Sequence, residues 1–176
     1  MDPHHSEGLK VVKLYQNGIR PKGVATLIHY GLQYLKNLEI LDLQDNTFTK
    51  HASLILAKAL PTWKDSLFEL NLNDCLLKTA GSDEVFKVFT EVKFPNLHVL
   101  KFEYNEMAQE TIEVSFLPAM EKGNLPELEK LEINGTTGPV RSQAKNSIIV
   151  LDAPFFARKS AISFPGSPSC PFTHSI

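Results

Sequence analysis

The chain predicts an α/β fold of stacked strand–helix units, and three observations carry that expectation. A leucine phrase recurs at a near-constant step, a one-sided helical pattern follows the first four phrases, and the residues between the leucines are largely polar. The phrase is clearest at Leu38-Glu39-Ile40-Leu41-Asp42-Leu43-Gln44-Asp45-Asn46. Its spacing, L-x-x-L-x-L-x-x-N, sends three leucines into one face of a short strand. The asparagine then closes a turn, where its side chain satisfies backbone groups that no strand partner reaches.

The phrase begins at Leu9, Leu38, Leu67, Leu97 and Leu128, so the steps are 29, 29, 30 and 31 residues. Cys75 takes the Asn place in the third copy, and Thr136 fills it in the fifth. An arithmetic series of this kind is the mark of a leucine-rich repeat, in which each unit stacks on the last. A helix in every unit of this length predicts a strongly curved, ribonuclease-inhibitor-like horseshoe of about four to five repeats, with strands inside and helices outside.

Each helix has its own signature. Val24, Leu27, Ile28, Leu32 and Leu35 keep the three-to-four spacing of one buried face, and Pro21 suits the first turn. Leu54, Ile55, Ala57, Ala59 and Leu60 predict the second helix, ended near Pro61. Ser82 is placed as an N-cap, with Asp83 and Glu84 at the positive helix end and Val85, Phe86, Val88, Phe89 and Val92 as the buried stripe. Ile112, Phe116, Leu117 and Met120 predict a fourth helix that Pro118 shortens or kinks.

Three regions follow: a lead over 1–8, the repeats over 9–135, and a tail over 136–176. Residues 1–135 hold nineteen of the twenty acids, and the tail holds Asp152 alone against Arg141, Lys145, Arg158 and Lys159. The tail carries no phrase and is broken by Pro154, Pro165, Pro168 and Pro171. It reads as a foreign, frameshifted or disordered end, or as an unusual cap. Uncapped units at both ends predict exposed apolar side chains, marginal stability and self-association.

A formal charge of −2 does not suggest a nucleic-acid binder, and no apolar run reaches the ~18 residues of a membrane span. Two distant cysteines argue for a reducing compartment, and a soluble cytosolic or nuclear protein is expected. The histidines lack ligand spacing, no nucleotide loop or nucleophile elbow occurs, and Cys75 has no histidine placed to activate it. No cofactor, metal or catalytic residue is expected. Strand alternation instead predicts three exposed columns: Val11, Lys13, Tyr15; Ile40, Asp42, Gln44; Glu69, Asn71, Asn73; Val99, Lys101, Glu103; and Lys130, Glu132, Asn134, one row from each unit. A ridge of turns flanks them: Gln16 to Arg20, Asp45 to Thr49, Asp74 to Lys78, and Tyr104 to Met107. Such a polar, charged surface suits a protein partner or is simply a solvated wall.

Particular stretches go beyond the generic phrase. Gln16 to Pro21 (Q-N-G-I-R-P), Leu41 to Phe48, Leu70 to Leu76 (L-N-L-N-D-C-L) and Leu131 to Gly135 resemble the fungal Ran GTPase-activating proteins across about 9–135. The resemblance implies a regulator of the small GTPase Ran with no active site of its own. It implies binding to the GTP form, without an arginine finger, and a role in nucleocytoplasmic transport. It also implies a cytoplasmic location, with the nuclear envelope as a further one. The family's upstream repeats, which hold its main activating positions, have no counterpart here, and Thr136-Thr137-Gly138 departs from its downstream sequence. The expectation is therefore a partial activator whose stimulation is weak or absent. Gln16, Asn17, Arg20, Asp42, Asp45 and Asp74 are the partner-binding candidates, with purely structural roles open for Asn17 and Asn46. The alternative is a repeat scaffold for a partner that is not a GTPase.

Overall fold

The computed structural model describes residues 8–133. It shows an α/β fold with one five-stranded parallel sheet in the order β1-β2-β3-β4-β5. The strands are β1 (Val11–Lys13), β2 (Ile40–Asp42), β3 (Glu69–Asn71), β4 (Val99–Lys101) and β5 (Lys130–Glu132). The helices are α1 (Pro21–Tyr30), α2 (Lys50–Ala59), α3 (Lys78–Glu91), α4 (Gln109–Thr111) and α5 (Leu117–Glu121). A π-helical segment, Ile112–Phe116, joins α4 to α5. The lead before residue 8 and the tail over 136–176 lie outside the described residues, as do Asn134 and Gly135.

Register follows the leucine phrase. Val12, Leu41, Leu70, Leu100 and Leu131 are successive partners across the sheet, and all are buried. Strands of three residues bury few side chains each, but stacking joins them into one core with the helices. The pairing continues beyond the strands: Leu14 N–H donates to Asp42 O, Leu43 to Asn71 O, Leu72 to Lys101 O and Phe102 to Glu132 O, at 2.7–2.9 Å. Each unit thus satisfies its turn-side backbone on the next. Under β3 to β5 the core turns aromatic. Phe86 of α3 packs on Phe102 at 4.7 Å and on Phe116 at 5.3 Å between ring centroids.

Two helix expectations need correction. Ser82 is no N-cap: α3 starts four residues earlier, capped at Leu77, and Ser82 is buried inside it. The start is set by Asn105, whose Oδ1 accepts from Leu77 N–H and whose carbonyl accepts from Lys78 N–H. On α2 the buried stripe is Ala52, Ser53, Leu56 and Ala59, while Ile55 and Ala57 are only partly buried. Small residues face inward there because α3 passes close, at Gly81, where an added Cβ would lie 2.6 Å from Ser53 Oγ. Pro118, expected to shorten or kink the fourth helix, sits where that stretch divides into the π segment and α5. It stands in the first turn of α5, directly after the π segment, so its missing N–H falls where the helix changes type.

Apolar exposure is uneven between the ends. Leu9 and Val11 are about half exposed, whereas Leu128, Leu131 and Ile133 at β5 are buried. Among the described residues no helix is long and apolar enough to cross a membrane.

Candidate functional site

The surface of interest forms where the chain leaves each strand. Gln16, Asp45, Asp74 and Tyr104 follow β1, β2, β3 and β4 at matching places, and all four are left-handed, with φ of 56°, 55°, 52° and 59°. The first three donate their N–H to Gln44 O, Asn73 O and Glu103 O, at 3.0, 3.0 and 2.8 Å. Their side chains point to solvent in a row beside the sheet. Aspartate tolerates this backbone better than most residues.

Behind the row, side chains tie each turn to the previous unit. Asn46 is buried; its Oδ1 accepts from Ile19 N–H at 2.8 Å, and its Nδ2 donates to Leu14 O at 2.8 Å and Leu43 O at 3.0 Å. Asn105 repeats the arrangement on Cys75 N–H, Leu77 N–H and Leu72 O. Cys75 performs a reduced version, its Sγ 3.1 Å from Leu43 O. Burial pushes this thiol's pKa up to about 12, which keeps it protonated.

The six candidates separate accordingly. Gln16, Asp45 and Asp74 form the row, and Arg20 lies exposed near it at the start of α1. Asp42 belongs to the sheet face instead: it is half-buried, and its Oδ1 accepts from Gln44 N–H at 3.1 Å. Asn17 occupies the same phrase place as Asn46 but is exposed and donates only locally, to Tyr15 O at 3.2 Å.

The sheet face away from the core carries a charge network that the spacing does not single out. Asn73 is its hub, with Nδ2 3.5 Å from Glu103 and 3.4 Å from Glu132, and its Oδ1 accepts from Glu103 N–H at 2.7 Å. Lys101 pairs with Glu69 at 2.5 Å, and Lys130 pairs with Glu132. Burial and then the neighbouring Glu132 charge raise the pKa of Glu103. Burial also acts upward on Glu132, but hydrogen bonds from Lys130 and Asn73 outweigh it and the carboxyl ends below its ordinary value. The alternation of signs leaves this face polar and ordered.

Two open grooves lie elsewhere among the described residues. One, about 320 Å³, lies between α1 and α2 beside His29 and His51. The other, about 590 Å³, runs below the sheet, where Phe68 stacks on His98 at 4.4 Å. Among the described residues no three metal-ligating side chains converge. A search of protein-family models finds none that matches the chain.

Proposed function

We propose that the chain is a leucine-rich-repeat solenoid that binds GTP-loaded Ran through the turn row and the adjoining sheet face, as a cytoplasmic component of nucleocytoplasmic transport. Stimulation of GTP hydrolysis is weak or absent. The observation that carries the reading is the exposed row Gln16, Asp45 and Asp74, held in one backbone geometry on successive turns. Rigidly spaced acids of this kind suit a partner with a basic face and cost little ordering on binding. The parallel register, which repeats the spacing of the leucine phrase, supports the repeat architecture. The stretches 16–21, 41–48 and 70–76 that resemble the Ran activators include this row and Arg20.

The experiment is equilibrium binding of the chain to Ran in its GTP and GDP forms, with single-turnover hydrolysis alongside. Binding to the GTP form is expected, with little acceleration of hydrolysis. The double variant Asp45→Lys and Asp74→Lys is expected to weaken binding at least tenfold, about 1.4 kcal/mol. A wild-type chain that binds neither form returns the surface to the reading of a scaffold for another partner.

A further inference from the structure

Burial leaves unexplained two residues on the turns after β3 and β4. Leu76 is 41% exposed and Tyr104 60% exposed. Both are left-handed, with φ of 52° and 59°, a backbone that favours glycine and asparagine. At Leu76 the fold imposes that backbone without asking for the side chain. Cys75 and Leu77 both donate their N–H to Asn105 Oδ1, at 3.1 and 3.2 Å, which turns the residue between them outward. The matching places in the other units hold Gly18, Thr47 and Glu106, so leucine is not a requirement of the turn. Tyr104 stands where the other units have Gln16, Asp45 and Asp74. The two turns run side by side: Asp74 N–H donates to Glu103 O and Lys78 N–H to Asn105 O, each at 2.8 Å.

Charge around the pair is mostly negative. Asp45, Asp74 and Glu106 are exposed on the same ridge, against Lys78 and, at its far end, Arg20. We infer that Leu76 and Tyr104 form the apolar contact point of the ridge and enter an apolar socket bordered by lysine or arginine on the partner GTPase. This deepens the function proposed above and rests on it. A small apolar centre ringed by charge is the anatomy of a protein interface, and an acidic surround selects a basic border. Leu76, an apolar side chain held on a disfavoured backbone in water, serves something other than the stability of the free chain.

The test is to measure the binding of GTP-loaded Ran by calorimetry for Leu76→Asn, Tyr104→Asn and the double variant in the full chain. Asparagine accepts a left-handed backbone, so the melting temperature is expected to hold or rise. Affinity is expected to fall at least tenfold in the double variant. Val114→Asn, an exposed apolar position on the π segment, is expected to stay within twofold. Should the double variant melt low, Leu76→Gly carries the same comparison on a backbone that glycine adopts freely. Affinity within twofold of wild type in a folded variant overturns the inference and leaves the GTPase reading standing. Failure of the wild-type chain itself to bind overturns both.

Discussion

Asn46 and Asn17 show how little a residue's identity says without its neighbours. Asn46 saturates its amide on neighbouring backbone, so Asn46→Ala strands Ile19 N–H and the Leu14 carbonyl in a part-buried seam and leaves Leu43 O to Cys75 Sγ alone. A loss of about 2–4 kcal/mol is expected in chemical denaturation, the scale of two groups left unpaired. Asn17→Ala removes one local contact at an exposed turn, and a change within about 0.5 kcal/mol is expected. Equal losses would show that the two asparagines are tied in the same way. Cys75 gives a second residue-scale expectation. Its pKa of about 12 and full burial predict a thiol that alkylating reagents modify only as fast as the fold opens. The Asn place was legible in the sequence because a turn asparagine has few other uses at that spacing. The left-handed backbone of Gln16, Leu76, Lys78, Tyr104 and Glu106 was not legible. Those residue types ordinarily avoid it, and at Gln16 and Lys78 a backbone hydrogen bond to the next unit holds it.

At the scale of elements, the α2–α3 contact is the most constrained. Gly81 leaves room for Ser53, whose buried Oγ has no hydrogen-bond partner. Gly81→Ala would gain helix propensity but drives a methyl into that oxygen, and a net loss of about 1–3 kcal/mol is expected. Ser53→Ala removes the obstructing hydroxyl and a desolvated polar group together, so it is expected to restore Gly81→Ala to near wild-type stability. Failure of the rescue in thermal melts would mean that the backbones, not the side chains, set the helix spacing. The same contact explains why the inward face of α2 was misread. Periodicity ranks Leu54 and Ile55 above Ala52 and Ser53, yet close helices bury their smallest residues. Ser82 was misread for a related reason: its capping signature is local, whereas the start of α3 is fixed by Asn105, 23 positions after it. The inward position of each strand was legible because a short strand over a core must bury its central residue, but Asn71 and Asn73, expected among the exposed columns, are buried where side chains of neighbouring strands crowd them.

At the scale of the molecule, the charge network makes stability depend on pH in two opposing ways. Glu103, raised by burial and then by Glu132, contributes stability while protonated, and that contribution is lost as pH rises through its raised value. Glu132, lowered on balance, contributes above the ordinary glutamate value, and its share is lost as pH falls through its lowered one. Glu103→Gln is therefore expected to raise the melting temperature relative to wild type at neutral pH. The difference should shrink as acid titrates Glu103 in the wild type. An advantage that persists unchanged in acid would show that the effect is not one of protonation.

The ties of Asn46 and Asn105 reach backward, from one turn to the one before it, and packing between helices joins neighbours in the order of the sheet. Among the described residues such ties join each unit mainly to its neighbours, and Asn73 adds a longer reach, two units on to Glu132. Opening a single seam, as at Asn105, should release the segments on its far side while β1 and β2 keep their hydrogen-exchange protection. Denaturation would then proceed in stages along the chain, with the weakest joint rather than the summed core deciding where it begins.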